Sequence, residues 1–337
     1  MVVLARAAAG LVNASTSPPG GLDPSQVPMF VLFTHDDAVT EATHEAMRAV
    51  TDGRASLDGC PAVATMFTTI SGNECELMMD LFSSGYEIAD HTKSHISLKG
   101  LDQDTLEDEV LGARSALAEC GVPEGDIVGM RNPFLETDSN VRKLLAENGF
   151  LYDSTIISNV GSASQFSPDP SLRLWPWDMA NGNPVDCSFF AGSQECSSEE
   201  RLPGLWQVPV WWVTEDGSAD GTPFSMDYGD GDNAYKILKA NFDAAYCGNR
   251  APMPIFIHTP WLVKDDNLKG VQKFADYALS QPNVYFVTMR QLLAWMQNPV
   301  PASQITPASL GCGTPGGAGG TPVNTFLAGA PSAAPTL

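Results

Sequence analysis

Two short stretches combine residue types that do chemistry. The first is Thr34-His35-Asp36-Asp37, at the end of the apolar run Phe30-Val31-Leu32-Phe33. Neighbouring residues at a strand end point in different directions, so one carboxylate can bind a metal while the other faces a substrate. Like charges this close repel, and a cation or basic partner is expected beside them. The second is His91-Thr92-Lys93-Ser94-His95, with two imidazoles at i and i+4, the spacing of one face of a helical turn. One Asp with two His makes three N/O donors, the composition of a catalytic zinc site with an open position. Taken alone, an Asp pair also serves as a solvated loop or helix cap.

The elements that must position these groups follow from periodicity. Phe30–Phe33, entered from Pro28, reads as a buried strand. Further strands are expected at 62–67, 86–89, 127–130, 205–213, 255–258 and 284–287. Helices are expected at 40–50, 74–83, 105–120, 139–148, 234–245, 268–280 and 289–296, the first capped by Thr40. Strand and helix alternate, and the chemistry-bearing residues sit at C-terminal strand ends, where parallel α/β barrels carry their active sites. Residues 153–203 read as long irregular loops, a common form for functional walls. Residues 1–27 and 299–337, rich in Pro, Gly and Ala, read as a flexible lead-in and a flexible tail around a domain at 28–298.

The 337 residues are 43% hydrophobic and hold 18 Lys plus Arg against 40 Asp plus Glu, a net charge of −22. That charge argues against nucleic acid or an anionic membrane as partner. It suits a neutral polymer, or a product that becomes cationic, and it also simply favours solubility. No run of 18 apolar residues is present, so no transmembrane helix is expected. Seven scattered cysteines, none in a Cys-x-x-Cys pair, fit disulfides and a secreted, extracellular or cell-wall protein. Cys187 with Cys196 is the best local pair, and Cys60 with Cys312 is a further one. The odd count leaves one thiol free or paired between chains. Met1–Val12, with one Arg and a short apolar stretch, is too short and poorly shaped for a convincing signal-peptide remnant, and Asn13-Ala14-Ser15 is a glycosylation sequon.

Read together, these motifs resemble the polysaccharide deacetylase family, carbohydrate esterase family 4. The match runs over about residues 28–298. Thr34-His35-Asp36-Asp37 stands at the first motif, His91-Thr92-Lys93-Ser94-His95 at the second, Arg131-Asn132-Pro133-Phe134 at the third, and Ile255-Phe256-Ile257-His258 at the fifth. The stretches at 151–155, 249–252 and 284–289 look like the animal-type chitin deacetylases. The resemblance implies a distorted (β/α) barrel with long loops and one divalent metal, usually zinc, with cobalt as a substitute. Carried over position by position, Asp37, His91 and His95 would bind the metal and Asp36 would be the general base. Arg131 would hold that base ionised, His258 would be the general acid, and the Phe134 N–H would stabilise the oxyanion. The implied substrate is chitin or chito-oligosaccharide, with acetylxylan or peptidoglycan as alternatives. A metal-retaining chitin binder with little turnover is a further reading.

The chain departs from the family pattern twice. His35 replaces the usual aromatic, and the fourth motif is degraded, with Glu215 and Asp216 its nearest acids. What steadies Arg131 or His258 is therefore open. Six tryptophans, among them Trp206, Trp211 and Trp261, suit sugar faces as well as a core. Ile257 and Trp261, next to His258, and Trp211 are the expected pocket walls. A monomer is expected.

Overall fold

The structure is a computed structural model that describes residues 12–159, 169–190 and 192–317. Its centre is β1 (Met29–Asp36), whose eight residues are all buried. Such a strand needs partners on both edges and cover on both faces, which accounts for its unbroken apolar run. On one edge it pairs with β12 (Met253–Ile257), with His35 opposite Ile257. It also pairs with β2 (Thr65–Thr68), and its first half with β13 (Val284–Phe286). Beyond β2 follow β3 (Glu87–Asp90), β4 (Gly129–Met130), β5 (Tyr152–Asp153) and β8 (Leu202–Gln207), all parallel. β7 (Trp177–Met179) closes the row antiparallel to β8.

Small pairs join β6 (Ile157–Ser158) to β9 (Val210–Trp211), and β10 (Val213–Thr214) to β11 (Pro223–Phe224). The main ladder ends at β12 and at β7 without joining among the described residues, which is the distortion of the barrel.

Helices α1 (Glu41–Thr51), α2 (Cys75–Ser83), α3 (Gln103–Glu119), α4 (Ser139–Glu147), α5 (Asp232–Cys247), α6 (Thr259–Leu262), α7 (Asp265–Leu279) and α8 (Met289–Gln297) alternate with the strands. Their starts follow local chemistry. Thr40 accepts from the Thr43 N–H, Asp102 from Thr105, and Thr288 forms a reciprocal box with Gln291. Because β1, β3, β4 and β12 run parallel, Asp36-Asp37, His91, Arg131 and His258 emerge at one rim.

Several expectations change. Residues 91–95 form a loop and no helical turn: Thr92 and His95 have φ of 71° and 58°. The Thr92 N–H is tied to Asp90 Oδ1 and the His95 N–H to Thr92 Oγ1, which fixes that loop. The strand expected at 205–213 is three pieces, and the first break falls at Pro209, which has no N–H to continue a ladder.

Both flanks are packed where they are described. Residues 12–16 bond to Trp175, Asp178 and Asn249, and Val27 is buried. Residues 299–317 carry buried Ile305 and Leu310 and are held by the Cys60–Cys312 disulfide. That bond ties the segment to the domain, and two apolar side chains reward its ordering. Residues 1–11, with most of the signal-like stretch, and 318–337 lie outside the described residues. Disulfides also join Cys187 to Cys196 and Cys75 to Cys120, and Cys247 is an exposed free thiol.

Candidate active site

Asp37 follows β1 directly, with φ of 87° turning its carboxylate away from that of Asp36. One ligand atom each from Asp37, His91 and His95 fall within 4.8 Å of one another. His95 Nε2 lies 3.1 Å and His91 Nε2 3.8 Å from Asp37 Oδ1. Tetrahedral zinc with bonds of 2.0–2.1 Å separates its ligand atoms by about 3.3 Å, so the spacing fits. The tautomer fits too. His91 Nδ1 lies 2.7 Å from the Arg131 carbonyl, which only accepts, so Nδ1 carries the proton and Nε2 keeps its lone pair. His91 is buried, whereas Asp37 and His95 are partly open, leaving a solvent-facing side.

Asp36, almost fully buried, accepts a hydrogen bond from Arg131 Nη1. Burial pushes its carboxyl up, but the Arg131 charge, then His91 and His258, prevail and hold it below the usual range. Arg131 is itself fully buried and is clamped by β1 and the segment after β5. It donates to Thr34 Oγ1 (3.0 Å), the Ser154 carbonyl (2.9 Å) and Ser154 Oγ (3.0 Å). Its guanidinium lies over the rings of Phe67 (3.8 Å) and Phe256 (4.4 Å). Strand neighbours, and no acid of the fourth motif, steady it.

His258 follows β12. Its Nδ1–H points at Asp227 Oδ2 (2.8 Å), and its main-chain N–H donates to Asp227 Oδ1 (2.9 Å). Burial lowers the imidazole, but the Asp227 hydrogen bond and the charges of Asp36, Asp227 and Asp37 raise it to about 9. The acids that sequence reasoning pointed to, Glu215 and Asp216, are not its partners. Asp227 sits in the acid-rich stretch 225–232, where nothing in the pattern separates it from Asp230 or Asp232. The turn is stitched to β12 by Asp227 N–H to the Phe256 carbonyl, and Trp261 Nε1–H donates to Gly229 O at 2.6 Å.

Phe134 (φ 58°) sits in a tight turn, its ring 62% exposed and edge-on to His95 at 4.8 Å. None of the hydrogen bonds among the described residues takes its N–H. Ile257 is buried one residue before His258. Trp211 is buried, with the Arg173 guanidinium 4.6 Å over its ring. The half-buried ring there is Trp212, against Phe189 and Phe190. His35 is buried, and its Nε2 meets Thr259 Oγ1 at 2.7 Å. Burial drives its imidazole down to about 3, so it is neutral.

Fold and site together are those of an enzyme: a parallel α/β scaffold whose rim carries an Asp-His-His cluster beside a buried Arg131–Asp36 pair and an Asp227–His258 pair. The chain is similar to the polysaccharide deacetylases. The family model described as polysaccharide deacetylase matches residues 25–152. Chitin deacetylase 8 of Bombyx mori is 29% identical over 304 residues, covering 86% of this chain and 75% of its own length. Chitin deacetylase 1 of Bombyx mori is 29% identical over 299 residues, 83% of this chain and 53% of that protein, so the chain spans about half of this second relative. Among solved structures, a candidate polysaccharide deacetylase from Mycobacterium smegmatis superposes with a TM-score of 0.54 at 21% identity, over 83% of this chain and 93% of that one. Another from Pseudomonas aeruginosa gives 0.50 at 17%, over 82% and 93%. These two show the shared fold.

Proposed function

We propose that the protein is a secreted chitin deacetylase, removing N-acetyl groups from chitin or chito-oligosaccharides to leave free amines and acetate. The observation that carries this reading is the meeting of Asp37, His91 and His95 at one point, with Asp36 and His258 close enough to shift one another's charge. The two chitin deacetylases at 29% identity support the substrate. Three disulfides support an oxidising, extracellular setting. No helix among the described residues is long and apolar enough to cross a membrane. The catalytic unit we assign is 28–298 with its packed flanks, and every group of the site comes from one chain, so a monomer suffices.

Asp37 Oδ, His91 Nε2 and His95 Nε2 would hold a divalent cation, by this donor set zinc, with cobalt as a substitute. When bound, such a cation polarises a carbonyl and acidifies water.

The chain's own groups supply the rest. Asp36, kept ionised by Arg131, takes a proton from the attacking water. The Phe134 N–H, turned outward by its positive φ, donates to the acetyl oxygen as negative charge develops there. His258, protonated and oriented by Asp227, gives its proton to the departing amine. Trp261, by holding the Gly229 carbonyl, keeps the Asp227 turn in register with His258.

The test is acetate release from acetylated chito-oligosaccharides, acetylxylan and peptidoglycan fragments in parallel. Release is expected from the chito-oligosaccharides, and its absence in His91→Ala. Release from none of the chito-oligosaccharides, with zinc or cobalt supplied, overturns the proposal.

A further inference from the structure

We infer that Glu109 is a positioning residue for the metal centre, holding the His91–His95 loop in the shape that lets His95 meet Asp37. The inference rests on the deacetylase reading above and adds to it a residue outside the motif stretches. Glu109 lies in the middle of α3, on the face that buries Leu106, Val110, Ala113 and Leu117. It is the one charged side chain on that face, and it is only 6% exposed. Carboxyl groups are rarely buried without a partner of opposite charge. Among the described residues no Lys or Arg forms an ion pair with it; Lys93 pairs with the neighbouring Asp108.

Both of its side-chain oxygens go to one residue. The Ser94 N–H donates to Glu109 Oε2 at 3.0 Å, and the Ser94 hydroxyl donates to Oε1. The main-chain carbonyl of Glu109 accepts the Lys93 N–H at 3.0 Å. The loop is gripped from its other side as well. The N–H groups of Ile70 and Ser71 donate to the carbonyls of Thr92 and Lys93 at 3.2 and 3.0 Å, and Thr69 Oγ1 donates to the His91 carbonyl at 2.7 Å. Helix α3 is a firm support, because its apolar face is buried and the residue after it, Cys120, is bonded to Cys75. Thr92 and His95 take positive φ, a path that such residues keep only where their surroundings impose it.

The two imidazoles depend on this grip unequally. His91 is buried, and its ring is locked by the Nδ1–H bond to the Arg131 carbonyl. His95 is partly open, and among the described residues the one polar contact of its ring is Asp37 itself. Its placement therefore follows from its main chain, which Glu109 holds through Ser94 and Thr92 holds directly. Groups that orient metal ligands in this way are typically worth about 10–100-fold in metal affinity.

The experiment measures zinc binding with no substrate present, by titrating zinc-loaded full-length protein with a chelator of known affinity. Glu109→Ala should raise the zinc dissociation constant about 10–100-fold. Ser94→Ala, which loses the hydroxyl bond and keeps the N–H bond, should raise it about two- to tenfold. Glu109→Gln, whose amide oxygen still accepts the Ser94 N–H, should recover most of the affinity lost in Glu109→Ala. A merely structural role gives a different result: the unfolding midpoint falls equally with and without zinc, and the zinc constant stays within about twofold of wild type. That result in Glu109→Ala overturns the inference. Where Glu109→Ala does not fold, the same result in Ser94→Ala overturns it. Wild type that binds zinc yet releases no acetate defeats the deacetylase reading alone, and the zinc constants still decide the role of Glu109. Wild type that binds neither zinc nor cobalt overturns both.

Discussion

Asp227 grips His258 at two points, one carboxylate oxygen on the imidazole Nδ1 and the other on the main-chain N–H of the same residue. Ring orientation and protonation state are thus set by one side chain. The imidazole is raised to about 9, so the acid form dominates at neutral pH and is lost above that value. Activity that needs this acid should fall on the basic side as pH passes the His258 pKa. In Asp227→Asn two of the raising influences disappear, and the basic limb of the kcat/KM profile should move down by about a unit or more. The linked stability runs the same way: it is full below the unfolded value near 6.5 and is lost as pH climbs toward 9. An unmoved basic limb in Asp227→Asn would show that His258 does not set it.

Removing the cation should abolish turnover and also soften the fold. A ligand present at a hundred times its dissociation constant stabilises by about 2.7 kcal/mol. A chelator should therefore lower the thermal midpoint of wild type, and zinc or cobalt should restore midpoint and acetate release together. His91→Ala should show little midpoint response to either, since it removes the most buried of the three donors. A wild-type midpoint indifferent to chelator and zinc would sink the metal site without reference to any substrate.

Arg131 and Asp36 form a buried ion pair, and breaking such a pair typically costs about 3–5 kcal/mol. Arg131→Met should destabilise by that order in denaturant unfolding and should abolish turnover, since Asp36 would take up a proton in its buried setting. Arg131→Lys should fall short of rescue. Lysine cannot reproduce the fork that serves Thr34, Asp36 and Ser154 while lying flat against Phe67 and Phe256. Stability within about 0.5 kcal/mol of wild type in Arg131→Met would contradict this account.

His35 stands where the motif resemblance implies an aromatic, and it is a neutral packing residue with one hydrogen bond, to Thr259. Thr259 Oγ1 also meets Thr43 Oγ1 at 2.7 Å, so it keeps a partner if His35 is lost. His35→Phe should change stability by only about 1 kcal/mol, the usual net worth of one hydrogen bond. Its kcat/KM should stay within a few fold of wild type. A loss of a hundredfold or more would give His35 a part in the chemistry.

Much of this protein is legible in its residues. Runs such as Phe30–Phe33 and Ile255–Ile257 are apolar because both faces of their strands are covered, and that burial leaves a local signature. The acids and imidazoles that follow such runs, Asp36-Asp37 and His258, stand at strand ends for the same reason. The tertiary structure alone decided the partners. Asp227 finds His258 across 31 residues, and Arg131 finds Thr34 and Asp36 across more than 90. Nothing in the acid-rich stretch around Asp227 distinguishes the one carboxylate that is used. The loop at His91–His95 was likewise beyond local spacing. An i, i+4 pair suits a helix, but hydrogen bonds from the main-chain N–H groups of Thr92 and His95 to Asp90 Oδ1 and Thr92 Oγ1 hold a left-handed path instead. Pattern reports what a residue buries. Which charge meets which depends on how the chain closes on itself, because Coulomb and hydrogen-bond energies fall off in space and are blind to sequence distance.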